Sequence, residues 1–449
     1  MNRRAVLLSV GLALTLAVGA ARQPAPDRPN VVLIVTDDVG YGDLGSYGAP
    51  DIRTPNIDRL AREGTRFTDF YAAPTCTPTR AALITGRYQQ RVRLEAPLPS
   101  APAGGQGLQP TGRSLPQLLK NSGYATALVG KWHLGYRPEF QPNAHGFDQF
   151  FGFLSGYIDY YQHTGGDGQH DLYENGQPVH VTGYMTDLIT EKSVGFIEAT
   201  AGRPFFLEVA YNAAHWPFQV PDKPSVAPGN ARFVQPTDDP TSTRSDYAAI
   251  LERADRGVGK IMEALRRHRL DRNTLVIFTN DNGGEWLSRN APLFHRKGTV
   301  WEGGIRVPAI MRWTGTIPAG RTTRQVGITM DLTRSILAAG AAVPDGARLE
   351  GIDLLPILER KAPEIERTIF FRVSTPQRQQ RAVRMGDWKL LVDGPPGAAP
   401  ISTAFLFNLR EDIGERRDLA AQRTDLVRKM RALLSAWEAD VDAEAMGGS

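Results

Sequence analysis

Cysteine is almost absent: the 449 residues contain one, Cys76. A lone thiol closes no disulfide within the chain, so stability has to come from the core, and Cys76 is left as a free or modified residue. A charge excess is also lacking. Lys and Arg number 52 against 48 Asp and Glu, a formal net charge of +4. Removing Arg3 and Arg4 with a leader lowers it to +2. So small an excess gives no argument for a nucleic-acid partner, although it allows local positive potential beside an anionic substrate. Beyond residue 20 no apolar run is long enough to span a bilayer, which predicts no stable membrane insertion. No internal repeat is present, and nothing in the sequence sets an oligomeric state.

The N-terminus is the one strongly apolar stretch. Asn2-Arg3-Arg4, the run Ala5 to Ala20 and small residues ahead of Arg22 form the basic, apolar and cleavage regions of a secretory signal peptide over residues 1–21. This predicts an exported protein, periplasmic or secreted after cleavage, with an uncleaved anchor as the alternative. Over the whole chain 41% of residues are hydrophobic and 22% charged, ordinary for a globular protein with a sizeable core.

Four apolar runs read as strands buried on both faces, as in a parallel sheet: Asn30 to Thr36, Ala125 to Val129, Pro204 to Ala210 and Thr274 to Thr279. Helical segments at 57–63, 114–121, 184–199 and 245–268 separate them. Each strand stops at a polar cluster, namely Asp37 with Asp38, Lys131 with His133, His215, and Asp281 with Asn282. In open α/β sheets ligands bind outside the carboxyl ends of the strands, so these clusters are expected to converge. The expected fold is α/β, with a large mixed, mostly parallel sheet sandwiched by helices over residues 28–365. From residue 366 to 449 the pattern changes to short strands at 368–373, 380–385, 388–392 and 405–408, with Gly386-Asp387 as a hairpin turn and a helix at 423–440. That predicts a smaller C-terminal antiparallel-sheet subdomain packed by a helix. Residues 97–111 and 221–243 read as loops.

Adjacent carboxylates at the end of an apolar strand repel unless cations lie between them. Asp37, Asp38, Asp281 and Asn282 offer oxygen only, which suits Ca²⁺ or Mg²⁺ rather than zinc. A capped turn is the plainer reading of the Asp pair. Cys76 precedes a short helix predicted over 78–85, with Thr77 as its cap, Pro78 in the first turn and Gly86 at its end. A helix N-terminus stabilises an anion there, while the plainer reading is a buried structural cysteine. His215 ahead of Trp-Pro also reads as a turn residue, and Lys131 and Lys297 as solvated charges.

The neighbours of Cys76 narrow this. Cys76-Thr77-Pro78-Thr79-Arg80 matches the C-x-P-x-R core of the sulfatase signature, and its continuation through Ala81, Leu83, Thr85, Gly86 and Arg87 resembles the longer pattern. Gly123 to Gly135 resembles a second signature of that family. His215-Trp216-Pro217, Thr279 to Gly284, Lys297 to Pro308 and Arg384 to Lys389 follow in family order. The chain thus resembles the formylglycine-dependent sulfatases, most closely their arylsulfatase and N-acetylgalactosamine-6-sulfatase-like branch.

That resemblance implies an alkaline-phosphatase-like fold and hydrolysis of a sulfate ester, on a small sulfated substrate of carbohydrate type. It implies that a formylglycine-generating enzyme converts Cys76 to 3-oxoalanine (formylglycine), whose hydrated aldehyde attacks sulfur. Asp37, Asp38, Asp281 and Asn282, with residue 76, would bind one divalent cation, commonly Ca²⁺, with Mg²⁺ as the alternative. Arg80 and His133 would position the hydroxyls, Lys131 and Lys297 would neutralise the sulfate, and His215 would protonate the leaving oxygen. Two other functions stay open: a phosphodiester or phosphonate monoester hydrolase using the same chemistry, and a non-catalytic sulfated-glycan binder with Cys76 unmodified. The aromatic segment Phe140 to Tyr161, with Trp216, Trp286 and Trp301, is read as core and loop packing, with sugar stacking as the alternative.

Overall fold

The computed structural model describes residues 28–99, 105–223, 242–375, 378–394 and 404–447. The leader expected at 1–21 and most of the loop expected at 221–243 lie outside the described residues.

Five parallel strands form the middle of the sheet: β1 (Asn30–Thr36), β2 (Ala125–Lys131), β3 (Gln149–Phe153), β4 (Phe205–Ala210) and β5 (Thr274–Asn280). They lie in the order β5-β1-β4-β2-β3, every neighbouring pair parallel. Short strands extend both edges to ten, including Ala309–Arg312 antiparallel to β5 and Tyr173–Glu174 antiparallel to β3. Every residue of β1 is buried, and its side chains alternate between faces: Val32 and Ile34 enter one core, Val31, Leu33 and Val35 the other. Two-sided burial is why the run shows no polar alternation.

Helices cover both faces. The helices longer than four residues are, in chain order, α1 (Pro55–Glu63), α2 (Cys76–Thr85), α3 (Leu115–Asn121), α4 (Met185–Thr200), α5 (Arg244–Arg267), α6 (Thr329–Ala339) and, on the small sheet, α7 (Thr424–Gly447). α1, α4 and α5 place Ile57, Ile189 and Ile250 on the first face; α2, α3 and α6 place Leu83, Leu119 and Ile336 on the second. α5 starts at a capping box between Thr243 and Asp246, which satisfies first-turn N–H groups otherwise left without partners. Among the described residues no helix is long and apolar enough to cross a membrane.

The small sheet has four antiparallel strands, Thr368–Thr375, Arg378–Met385, Trp388–Asp393 and Ala404–Asn408. Its hairpin turns at Gly386, whose φ of 57° lies where glycine is favoured. Met430, Leu434 and Trp437 of α7 pack on this sheet, in a core shared with Tyr71, Ala82 and Ile305 of the larger body. Buried ions tie the two together. Lys389 Nζ donates to Glu302 Oε1 at 2.9 Å and lies 2.8 Å from Glu415 Oε1, while Arg384 pairs with Asp69 at 2.7 Å.

Three expectations need correction. α2 begins at Cys76, with Thr75 at the N-cap position but making no side-chain cap, and not at residue 78. The Thr77 hydroxyl is taken by tertiary partners: it donates to the His133 carbonyl at 2.9 Å and accepts from the Leu98 N–H at 3.1 Å. The predicted surface loop 97–111 is not wholly at the surface, because Leu98 and Leu108 are buried. Part of the aromatic segment 140–161 is a strand, β3, with Phe150 on one face and Phe151 and Phe153 on the other.

Candidate active site

Because β1, β2, β4 and β5 run parallel, the segments leaving their carboxyl ends meet on one edge. Asp37 and Asp38 follow β1, Lys131 ends β2, His215 lies shortly after β4, and Asp281 and Asn282 follow β5. Asn280 straps the first and last of these. Its side-chain oxygen accepts from the Thr36 hydroxyl at 2.9 Å and the Val39 N–H at 3.2 Å, and its amide donates to the Val39 carbonyl at 3.0 Å. This holds the Asp37-Asp38 turn, in which Asp38 has a φ of 59°, a region that Asp tolerates better than most residues.

The charged groups form one buried web. Lys131 Nζ donates to Asp37 Oδ2 at 2.6 Å and lies 3.9 Å from Asp281 Oδ2. Lys297 Nζ donates to Asp38 Oδ2 at 2.7 Å and meets His215 Nε2 at 3.3 Å. Asn282 Nδ2 donates to Asp38 Oδ1 at 2.7 Å. Arg80 crosses from α2, donating to Asp281 Oδ2 at 2.9 Å and the Lys131 carbonyl at 3.2 Å. His133 Nε2 meets the Leu98 carbonyl at 2.9 Å, so its ring is set by the loop segment that Thr77 also holds. Cys76 is buried in the first turn of α2.

Burial and opposite charge pull these groups apart in acidity. Burial and the neighbouring Asp281 push Asp37 well above the usual carboxylate range. Burial acts on Asp38 too, but Lys297, His215 and Lys131 outweigh it and hold Asp38 below that range. His133 is kept neutral by burial and Lys131; His215 by burial, Lys297 and Lys131, against the pull of Asp38. For Lys297 burial is overcome by Asp38 and Glu285, so its ammonium is held firmly. Two carboxylates with opposed acidities beside neutral imidazoles mark a chemical site more than a structural ion cluster.

The same cluster fits a hard divalent cation. Asp37 Oδ1 and Asn282 Oδ1 are buried acceptors with no hydrogen-bond partner, oxygens of the kind such an ion takes. Asp37, Asp38 and His215 each bring a ligand atom within 4.8 Å of the others. The imidazole is the poorer member of that trio, since Lys297 approaches its Nε2. The oxygens of Asp37, Asp38, Asp281 and Asn282 are the better match.

The sulfatase family model matches residues 29–341, more than half of the chain. The chain belongs to the sulfatase family. It is 38% identical to N-acetylgalactosamine-6-sulfatase of Canis lupus familiaris over 371 residues, covering 76% of this chain and 68% of that protein. It is 34% identical to arylsulfatase A of Bos taurus, covering 91% and 86%. Among solved structures, Ps i-CgsB in complex with k-i-k-neocarrahexaose superposes with a TM-score of 0.81 at 33% identity, covering 92% of this chain and 93% of that one. This sulfatase has the alkaline-phosphatase-like architecture of its structural neighbours and is a sulfuric ester hydrolase.

Two residues of this sulfatase's site are not legible from motifs. Glu285 lies 3.5 Å from Lys297 Nζ, and burial raises its carboxyl. It directly follows the strand-end cluster after β5, so extending the strand-end rule by three residues finds it. Tyr157 stacks on His215 with centroids 5.7 Å apart and planes 6° apart, and packs on Trp216 at 4.1 Å. Tyr157 falls in the aromatic segment 140–161, but nothing local ties it to His215, because the contact joins segments remote in sequence.

Proposed function

We propose that this sulfatase is exported and removes sulfate from a sulfated carbohydrate, using formylglycine made from Cys76 and one divalent cation. The observation that carries the reading is that Lys131, Lys297, Arg80 and His215 meet the carboxylates of Asp37, Asp38 and Asp281 at the strand ends, while Asp37 Oδ1 and Asn282 Oδ1 are left without partners. The relatives named N-acetylgalactosamine-6-sulfatase and the carrageenan-oligosaccharide complex support a sugar substrate.

The hydrated aldehyde supplies a nucleophilic oxygen and the cation supplies charge neutralisation. Everything else falls to the chain. Asp37, Asp38, Asp281 and Asn282 hold the ion, with Ca²⁺ favoured over Mg²⁺ by the number of oxygens offered. Lys131 and Lys297 bind the non-bridging sulfate oxygens in a largely buried site, where fixed charges act strongly. Arg80 and His133 orient residue 76. The leaving oxygen needs a proton, which is held at the Lys297 Nζ and His215 Nε2 pair, 3.3 Å apart. Tyr157 fixes the His215 ring by stacking on it.

Cys76 and Arg80 are each 2% exposed, so a modifying enzyme has no access once α2 has packed. Conversion by a formylglycine-generating enzyme therefore precedes folding. The leader at residues 1–21 supports export during the same period.

The test is the mass of the tryptic peptide Phe67 to Arg80 from protein made in its native host. The expected result is loss of sulfur at Cys76, with turnover of an aryl sulfate exceeding that of aryl phosphate and phosphonate esters. Unmodified cysteine throughout, or a preference for phosphorus, overturns the proposal.

A further inference from the structure

Lys297 has neighbours on two sides. On one it meets His215, backed by Tyr157 and Trp216. On the other it lies 3.5 Å from Glu285. The residue after Glu285 is Trp286, and the residue before Lys297 is Arg296. These two meet each other, with the Arg296 guanidinium 4.7 Å from the centroid of the Trp286 ring. The indole is 39% exposed, one of few large apolar side chains among the described residues left so open. Arg296 is exposed as well, and among the described residues no carboxylate pairs with it.

The scaffold beneath this pair is fixed. The Lys297 N–H donates to the Gly284 carbonyl at 3.2 Å, and the Gly298 N–H to the Pro74 carbonyl at 2.8 Å. Asn290 Nδ2 donates to the Gly284 carbonyl at 2.8 Å while its Oδ1 accepts from the Gly284 N–H at 3.0 Å. An exposed indole next in sequence to Glu285, which meets the sulfate-binding lysine, with one guanidinium set against it, has the form of a stacking platform with an anion clamp.

We propose that Trp286 and Arg296 form a second sugar subsite, for the residue next to the one that loses sulfate, and that this neighbouring residue carries its own anionic group. Trp286 stacks on the apolar face of that ring, and Arg296 pairs with its sulfate or carboxylate. The sulfatase is thereby selective for a multiply anionic oligosaccharide over a singly sulfated sugar. This rests on the sulfated-carbohydrate reading above and adds to it the charge of the flanking unit.

The experiment uses the modified full-length protein and three disaccharides that share one scissile sulfate. Their second residue carries a sulfate, a carboxylate or no charge; p-nitrophenyl sulfate serves as the small reference. For the wild type, kcat/KM is expected to be about tenfold higher with one charged partner than with the neutral one. In Trp286→Ala the ratio of kcat/KM for the preferred disaccharide to that for p-nitrophenyl sulfate falls about tenfold. In Arg296→Ala the preference for a charged partner disappears, and Arg296→Lys restores part of it. A ratio is insensitive to the fraction of folded protein. Unchanged ratios in both variants, or no charge preference in the wild type, overturn the proposal. Calorimetric titration with the same disaccharides gives a second readout that needs no turnover. Lack of activity on every sulfate with charge-selective binding retained refutes the hydrolytic reading alone, whereas activity on p-nitrophenyl sulfate without charge selectivity refutes the subsite alone.

Discussion

Glu208 offers a test that does not depend on the chemistry of residue 76. It lies in the middle of β4, in register with Leu33 of β1 and Leu128 of β2, and is 3% exposed. Its neighbours two residues away, Phe206 and Ala210, belong to the core under α2, and strand alternation puts Glu208 on that face. Its Oε2 has no hydrogen-bond partner, and burial pushes the carboxyl up to about 7 against a single opposing influence, Arg80. Below pH 4.5 the carboxyl is protonated in both folded and unfolded chains. Between pH 4.5 and 7 the folded chain keeps a proton that the unfolded chain has released, so stability falls as pH rises, and above 7 the full cost is present. Moving a carboxyl from 4.5 to about 7 corresponds to about 3 kcal/mol. Glu208→Gln removes that titration. The variant is expected to be more stable than the parent by about 2–3 kcal/mol at pH 8 and to match it near pH 4.5. Denaturant unfolding of both proteins at a series of pH values, at one fixed calcium concentration, reads the difference, in which other titrating groups cancel. Parallel curves, or a Gln variant weaker at pH 8, would refute the assignment of Glu208 as a buried acid neutral below pH 7.

Further outcomes follow from the site. Lys297→Ala removes the ammonium that faces Asp38 and the proposed sulfate position, so kcat/KM on an aryl sulfate is expected to fall by about a thousandfold; a loss below tenfold would remove Lys297 from sulfate binding. His215→Ala should slow esters with poor leaving groups far more than p-nitrophenyl sulfate, and an equal loss across a leaving-group series would show that His215 has no part in protonating the alcohol. Chelation should abolish turnover and lower the unfolding temperature, because Asp37, Asp38 and Asp281 are left to repel each other, and Ca²⁺ should restore both better than Mg²⁺. Unfolding that is indifferent to chelation would count against a resident ion.

The parts of the sheet that could be read from sequence are those buried on both faces. Asn30 to Thr36 admits little besides a central strand, and a run of that kind also tells where its polar successors must lie. The strands beyond β5 are not legible because Thr65–Phe67 and Ala309–Arg312 are three and four residues long, too short to carry a period. β3 escaped because Gly152 and three phenylalanines look alike in a loop and in a strand packed on both sides. The start of α2 was misplaced for a different reason: Thr77 has the chemistry of a cap, but partners distant in sequence claimed its hydroxyl. Within the site, residues in strand-end clusters were legible, whereas Tyr157 depended on a ring contact that only the folded chain creates.

The buried Lys389 has a consequence for how this protein can change over time. Glu302, its partner, sits five residues beyond Lys297, and Lys389, Arg306 and Arg384 hold the Glu302 carboxyl down to about 2 despite its burial. The Glu302 N–H is in turn bonded to Glu415 Oε2 at 2.7 Å, so the segment leading to Lys297 is anchored from the small sheet on two counts. Exchange of that sheet with one from a relative would leave the buried Glu302 with Arg306 as its remaining cation unless Lys389 and Arg384 came along. Recombination junctions between residues 310 and 380 should therefore be poorly tolerated, and the two pieces should descend together as a single heritable unit.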